Sequence, residues 1–162
     1  MKTIMPCLWF DKEAEEAANF YCSIFKDAKL GGITRYGNEG REVHGGKPGS
    51  VLTVEFSLDG RKFLALNGGA HFKFNEAISF QVLCESQEEV DYYWEKLSAG
   101  GDPKAQQCGW LKDRFGVSWQ IVPVVLPTLL AHKDRVKADR VMKALLQMKK
   151  LDIAALQRAQ AG

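Results

Sequence analysis

The order of patterns along the chain predicts an α+β fold: two copies of a unit made of a strand, a helix and three strands, followed by a helical tail. Three observations carry this. Val51 to Leu58 alternates apolar and polar residues and turns at Asp59-Gly60 into Arg61 to Asn67, the signature of a β-hairpin. Glu15-Glu16 followed by Phe20-Tyr21 returns as Glu88-Glu89 followed by Tyr93-Trp94, at a constant offset of 73 residues. Beyond Pro123 and Pro127 the apolar spacing becomes that of amphipathic helix.

Taken in order, residues 3–10 read as a strand, and Asp11 offers a side-chain oxygen to cap a helix whose apolar stripe is Ala14, Ala17, Ala18, Tyr21, Ile24 and Phe25. Lys29 to Tyr36 reads as a second strand and the glycine-rich residues 37–50 as a loop. A two-residue turn at Asp59-Gly60 pairs Leu58 with Arg61, Phe56 with Phe63 and Val54 with Ala65. The second copy opens with a strand at Ala77 to Cys84. Ser86 and Glu89 then form a capping box for a helix carrying Val90, Tyr93, Trp94 and Leu97, ended by Gly100-Gly101. Short strands follow near 105–112 and 117–125. In the tail, Val136, Val141, Met142, Leu145, Leu146 and Met148 form an apolar stripe, and Asp152 caps a last short helix. The expected organisation is one domain over 1–126, made of modules at about 1–70 and 71–126, with a helical extension over 127–162.

Hydrophobic residues at 46% and charged residues at 26% are ordinary globular usage, which excludes disordered and fibrous classes. A net charge of only +2 gives no electrostatic basis for a nucleic-acid partner. The tail holds eight Lys or Arg against three Asp, but no aromatic residue interleaves them, so the expected role of that charge is solvation. No apolar run reaches the roughly 20 residues of a membrane helix, so no membrane partner is expected. Cys7, Cys22, Cys84 and Cys108 lie far apart without zinc-type spacing, which predicts reduced thiols and a cytoplasmic protein.

Several segments resemble one family. These are Pro6-Cys7-Leu8-Trp9-Phe10-Asp11, Phe20-Tyr21, Leu66-Asn67-Gly68-Gly69, Ala77-Ile78-Ser79-Phe80-Gln81-Val82, Gly109-Trp110-Leu111-Lys112-Asp113 and Gly116-Val117-Ser118-Trp119-Gln120. They are similar to the PhnB-like branch of the vicinal oxygen chelate superfamily, which includes glyoxalase I, extradiol dioxygenases, fosfomycin-modifying enzymes and bleomycin-binding resistance proteins. Sequences of this branch are often labelled 3-demethylubiquinone-9 3-methyltransferase-like. The resemblance implies two βαβββ modules whose sheets curl around a cavity, a small-molecule ligand and a homodimer. The chain has no glycine-rich strand-to-helix turn followed by an acidic residue, the arrangement that would seat a methyl-donor nucleotide.

The resemblance also implies metal ligands on the first and last strand of each module. Those positions carry Met5, no carboxylate or His within Arg61 to Asn67, then Ser79 and Gln120. Such a set lacks both anion and imidazole, so no cofactor is expected and a divalent metal is disfavoured. The inward-facing positions are expected to be Met5, Cys7, Trp9, Phe56, Phe63, Ala65, Asn67, Ser79, Gln81, Ser118 and Gln120, an apolar cavity with uncharged hydrogen-bonding groups. Cys7, Trp9, Asn67, His71, Ser79, Gln81, Trp110 and Gln120 are the ligand-binding candidates, His71 because a glycine-hinged loop carries it. Trp119 alternates to the helix side, and His44 and His132 read as exposed. Gly45-Gly46-Lys47-Pro48 lacks the Ser or Thr and the helix of a phosphate loop. The leading expectation is a metal-free small-ligand binder. One alternative is a divalent-metal lyase or isomerase that gathers His71, Glu76, Gln81 and Gln120 around the ion, and another is a sequestering or resistance protein without catalysis.

Overall fold

The computed structural model describes Lys2 and residues 4–162, and the chain divides into two compact units, residues 1–74 and 75–162. The start of the first predicted strand, Thr3, lies outside the described residues.

In the first unit β1 (Cys7–Phe10), α1 (Ala14–Ile24), β2 (Lys29–Arg35), α2 (Arg41–His44), β3 (Val51–Leu58) and β4 (Arg61–Asn67) follow one another. Their sheet has the order β1-β4-β3-β2, with β1 parallel to β4 and the other pairs antiparallel. The hairpin register is the expected one, Leu58 opposite Arg61, Phe56 opposite Phe63 and Val54 opposite Ala65. α1 packs on that face through Ala14, Ala17, Ala18, Tyr21 and Ile24, all buried, and Tyr21 stacks on Phe56 at 5.9 Å. The alanines let the helix approach closely, and each fully buried aromatic contributes about 1.5–3 kcal/mol.

This register corrects the expected cavity lining. The parallel ladder pairs Leu8 with Ala65 and Phe10 with Asn67, so Phe56, Phe63, Ala65 and Asn67 belong to the α1 face. Cys7 pairs with Leu64 and Trp9 with Leu66, on the opposite face. Period-two alternation shows which residues share a face but leaves open which face a helix covers. The predicted loop 37–50 also contains a one-turn helix, α2, flanked by Gly40 and Gly45 in left-handed conformation.

The second unit holds β5 (Phe80–Cys84), α3 (Gln87–Ser98), a 3₁₀ turn at Pro103–Ala105, β6 (Trp110–Lys112), β7 (Ser118–Pro123), α4 (Leu126–Leu130), α5 (Arg135–Leu145) and α6 (Ile153–Ala161). Its sheet order is β5-β7-β6, with β5 and β7 parallel. Ser86 caps α3 by accepting from the Glu89 N–H at 3.3 Å, while Glu89 reaches back to the Glu85 N–H at 2.8 Å. Two strands, not three, follow α3 here. Between α3 and β6 the chain forms the 3₁₀ turn, with Pro103 at its start and Asp102 accepting from Lys104 N–H at 2.9 Å to close it.

The tail is integral to this unit. Leu126, Leu129, Val141, Leu145, Leu151 and Leu156 form one core cluster. Cys108 and Gly109 donate their backbone N–H groups to the carbonyls of Met148 and Lys149, both at 2.8 Å. Gln87 donates to the Leu151 carbonyl at 3.1 Å and accepts from Ile153 N–H at 2.9 Å. Only part of the predicted stripe is buried, because the α5 face turned inward is Ala138, Val141 and Leu145, leaving Val136, Met142 and Leu146 exposed. Asp134 and Asp152 cap α5 and α6. Among the described residues no helix is long and apolar enough to cross a membrane.

Candidate functional site

The candidate site of the first unit grows from the turn after β4. Asn67 accepts from Ala14 N–H at 2.8 Å and donates to the Val51 carbonyl at 3.1 Å. It therefore supplies the cap that α1 lacks locally, since Glu13 at the N-cap makes no side-chain capping bond and Asp11 lies too early in the chain. Gly68 must be glycine because a Cβ there would lie 2.2 Å from the Trp9 ring. The Trp9 indole N–H then donates to the Gly69 carbonyl at 2.8 Å, and Phe72 packs edge-on against that indole with ring centroids 4.9 Å apart.

Beside this turn opens a cleft of about 530 Å³ lined by Trp9, Tyr36, Glu39, His44, Leu52, Leu66 and His71, with Gly37, Val43 and Gly68 completing it. Tyr36 donates its hydroxyl to the Asn67 carbonyl and stacks on His44 with centroids 4.6 Å apart. The His44 Nδ1 accepts from Gly46 N–H at 2.9 Å, so the proton sits on Nε2, which donates to the Glu39 carbonyl at 2.9 Å. His44 is thus a structural pin, half-buried where exposure was expected. A smaller cleft of about 370 Å³ adjoins the same rings and is lined also by Asp11, Lys12, Glu15, Lys47 and Ser50.

In the second unit the sheet face away from α3 carries a row of polar side chains. Gln81 and Trp110 both stand beside Gln120 in the ladder. Gln81 Nε2 donates to Gln120 Oε1 at 3.2 Å, and Gln120 Nε2 donates to Ser79 Oγ at 2.7 Å. Nearby Lys112 pairs with Glu76, and that hydrogen bond holds the Glu76 carboxyl below the usual carboxylate range. On the α3 side, the buried Asp113 accepts from Phe115 and Val117 N–H and from the Trp119 indole at 2.9, 3.0 and 2.9 Å, which makes the Asp113 to Trp119 segment a structural knot.

The structure brings Trp9 and His71 together at the larger cleft and Ser79, Gln81, Trp110 and Gln120 together on the second sheet. Asn67 is placed on the α1 face, where it caps the helix and also lines the smaller cleft, and Cys7 shares the Trp9 face but does not line the larger cleft. Partial desolvation raises the Cys7 thiol pKa, which works against a nucleophilic role. Sequence reasoning missed Tyr36, Glu39 and His44 as cleft residues. The available signal was the spacing of Gly40, Gly45, Gly46 and Gly49, since a Cβ at Gly46 would lie 2.6 Å from the Tyr36 ring.

These residues do not fit a divalent cation. Among the described residues no group of three or more His, Cys, Asp or Glu comes together. Ser79 and Gln120 offer only neutral oxygens already engaged with each other or with Gln81. The β1–α1 connection Asp11-Lys12-Glu13 contains no glycine and carries carboxylates, so it does not fit the phosphates of a nucleotide either.

The model of the 3-demethylubiquinone-9 3-methyltransferase family matches residues 2–122. A PhnB protein from Bacillus cereus is 35% identical, with a TM-score of 0.64 over 76% of this chain and 100% of that one. PA1353 from Pseudomonas aeruginosa has 18% identity and a TM-score of 0.58 over 76% of this chain and 98% of that one. The fosfomycin resistance protein FosX from Mesorhizobium loti shares the fold at 12% identity, with a TM-score of 0.56 over 81% of this chain and 98% of that one. No curated protein matches the sequence. The chain belongs to the 3-demethylubiquinone-9 3-methyltransferase family, within the PhnB-like branch of the vicinal oxygen chelate superfamily.

Proposed function

We propose that this protein binds a small, largely apolar organic molecule without a metal ion. The observation that supports the reading best is the cleft beside Trp9, whose volume of about 530 Å³ is of drug-sized scale and whose lining combines Leu52 and Leu66 with aromatic rings. The Gln81, Gln120, Ser79 and Trp110 row is proposed as a second ligand-contacting surface, where amides orient a molecule without the desolvation cost of a buried charge. A homodimer in the cytoplasm belongs to the same reading; unpaired Cys7, Cys22, Cys84 and Cys108 support a reducing compartment, and light scattering would decide the dimer.

The test is a fragment screen followed by ¹H–¹⁵N NMR, with the Trp9 indole N–H as reporter. Neutral aromatic fragments should shift that signal and those of His71 and Leu66 together. A screen in which no organic fragment at millimolar concentration moves them overturns the proposal.

A further inference from the structure

Apart from the His71 ring, the polar side chains lining the larger cleft have their hydrogen-bond donors spent, and this shapes what it can hold. The Trp9 indole N–H is spent on the Gly69 carbonyl and the Tyr36 hydroxyl on the Asn67 carbonyl. His44 Nε2–H is spent on the Glu39 carbonyl. The backbone N–H groups of Tyr36, Val43, His44 and Gly68 are likewise bonded, to Ser50, Gly40, Gly40 and Phe10. Neither Lys nor Arg lines the cleft, and Glu39 is its one formally charged residue when His71 is neutral. An anionic ligand would lose its hydration here and gain only the His71 ring as a side-chain donor, an unfavourable exchange. A cation needs no donors, being attracted by the faces of Trp and Tyr rings and by a carboxylate.

We infer that the ligand of this cleft is an alkylammonium-type cation with an apolar body, held by Trp9, Tyr36 and Glu39; the inference rests on the binding reading above. Aliphatic contact with Leu52 and Leu66 accommodates the body of the molecule.

The inference is tested by titrating the full chain with three molecules of one shape, choline, 3,3-dimethylbutan-1-ol and 3,3-dimethylbutanoate, followed by the Trp9 indole signal. Choline should bind about five- to thirtyfold tighter than the neutral alcohol, the fold-change a cation over aromatic faces gives, and the carboxylate weakest. Glu39 is exposed, so Glu39→Gln should fold normally; it should weaken choline several-fold and leave the alcohol unchanged. Tyr36→Phe, which keeps the ring, should retain the choline preference. If the alcohol or the carboxylate binds as tightly as choline, or if Glu39→Gln changes nothing, the cation inference fails while ligand binding stands. If none of the three binds although neutral aromatic fragments do, the cation inference again fails alone. Failure of the fragments and of all three removes both.

Discussion

The two units solve the same problem, the start of the helix that follows their first strand, in different ways. In the second unit the link between β5 and α3 is two residues long, and Ser86 with Glu89 caps α3 from within the same segment. In the first unit the link is three residues, Asp11-Lys12-Glu13, and the cap comes from Asn67, 53 residues away. A local cap exposed to water is replaceable by water. A remote cap ties a helix to the far end of a sheet, and its loss leaves a buried N–H without a partner. The asparagine expected to contact a ligand therefore carries a structural duty while it also lines the smaller cleft, and its glycine neighbours serve Trp9.

The sharpest way to break this comparison is to remove what only the second unit has, its tail. Deleting residues 128–162 removes Leu129, Val141, Leu145, Leu151 and Leu156 from the core cluster and uncovers Leu126. Each such leucine is worth about 2–5 kcal/mol, and their sum exceeds the stability of an ordinary domain. The expected outcome is an aggregated protein; a soluble truncation with an unchanged circular-dichroism melt would show that the tail is dispensable.

Next in size come the caps themselves. Asn67→Ala should cost about 2 kcal/mol in urea denaturation, because Ala14 N–H and the Val51 carbonyl both lose their partner in a largely buried place. Ser86→Ala should cost about 1 kcal/mol or less. Equal losses would mean that the remote cap is no more than a local one.

That contrast also explains what could be read in advance. Asp59-Gly60 pinned the hairpin register, and Ser86-x-x-Glu89 marked α3, because both signals lie within a few residues of what they control. Asn67 and Tyr36 act on groups distant in sequence, which no spacing rule reveals. The assignment of Phe56, Phe63 and Ala65 to a cavity failed for a related reason. Alternation defines two faces of a strand, and only the packing of α1 decided which face became the core. In the second unit the two strands expected near 105–112 and 117–125 are present as β6 and β7, the first shortened by the turn at Pro103–Ala105.

A smaller effect separates the cysteines of the two units. Cys84 is fully buried, and desolvation with the nearby Glu89 charge pushes its thiol from 9.0 up to about 12. The raised value stabilises the folded state fully below about pH 9, and the contribution is lost as pH rises towards 12. Iodoacetamide at pH 8 should label exposed Cys7 readily and Cys84 only as fast as the protein unfolds. Comparable rates would show that β5 opens locally. Metal provides a further null comparison: chelator-treated protein should keep its melting temperature with any common divalent cation at millimolar concentration. A selective rise of several degrees, the size expected at about 100 times Kd, would restore the metal-enzyme reading.

The smallest expected effect is at the Glu76–Lys112 pair, where the exposed carboxylate is held below its ordinary pKa first by the hydrogen bond from Lys112. A lowered carboxylate pKa stabilises the fold above the ordinary carboxylate range, and that contribution is lost as pH falls through the lower, folded value. Glu76 lies at the surface, so solvent screens the pair and Lys112→Met should leave the melting temperature at pH 7 unchanged. The NMR titration of the Glu76 side chain should nevertheless move up, towards the ordinary carboxylate range, with the backbone hydrogen bond keeping part of the shift. If Lys112→Met instead lowers the melting temperature by several degrees, Lys112 has a structural duty at the edge of the second sheet that its ion pair does not account for. In that case the polar row of Ser79, Gln81 and Gln120 depends on β6 being held in place by that lysine.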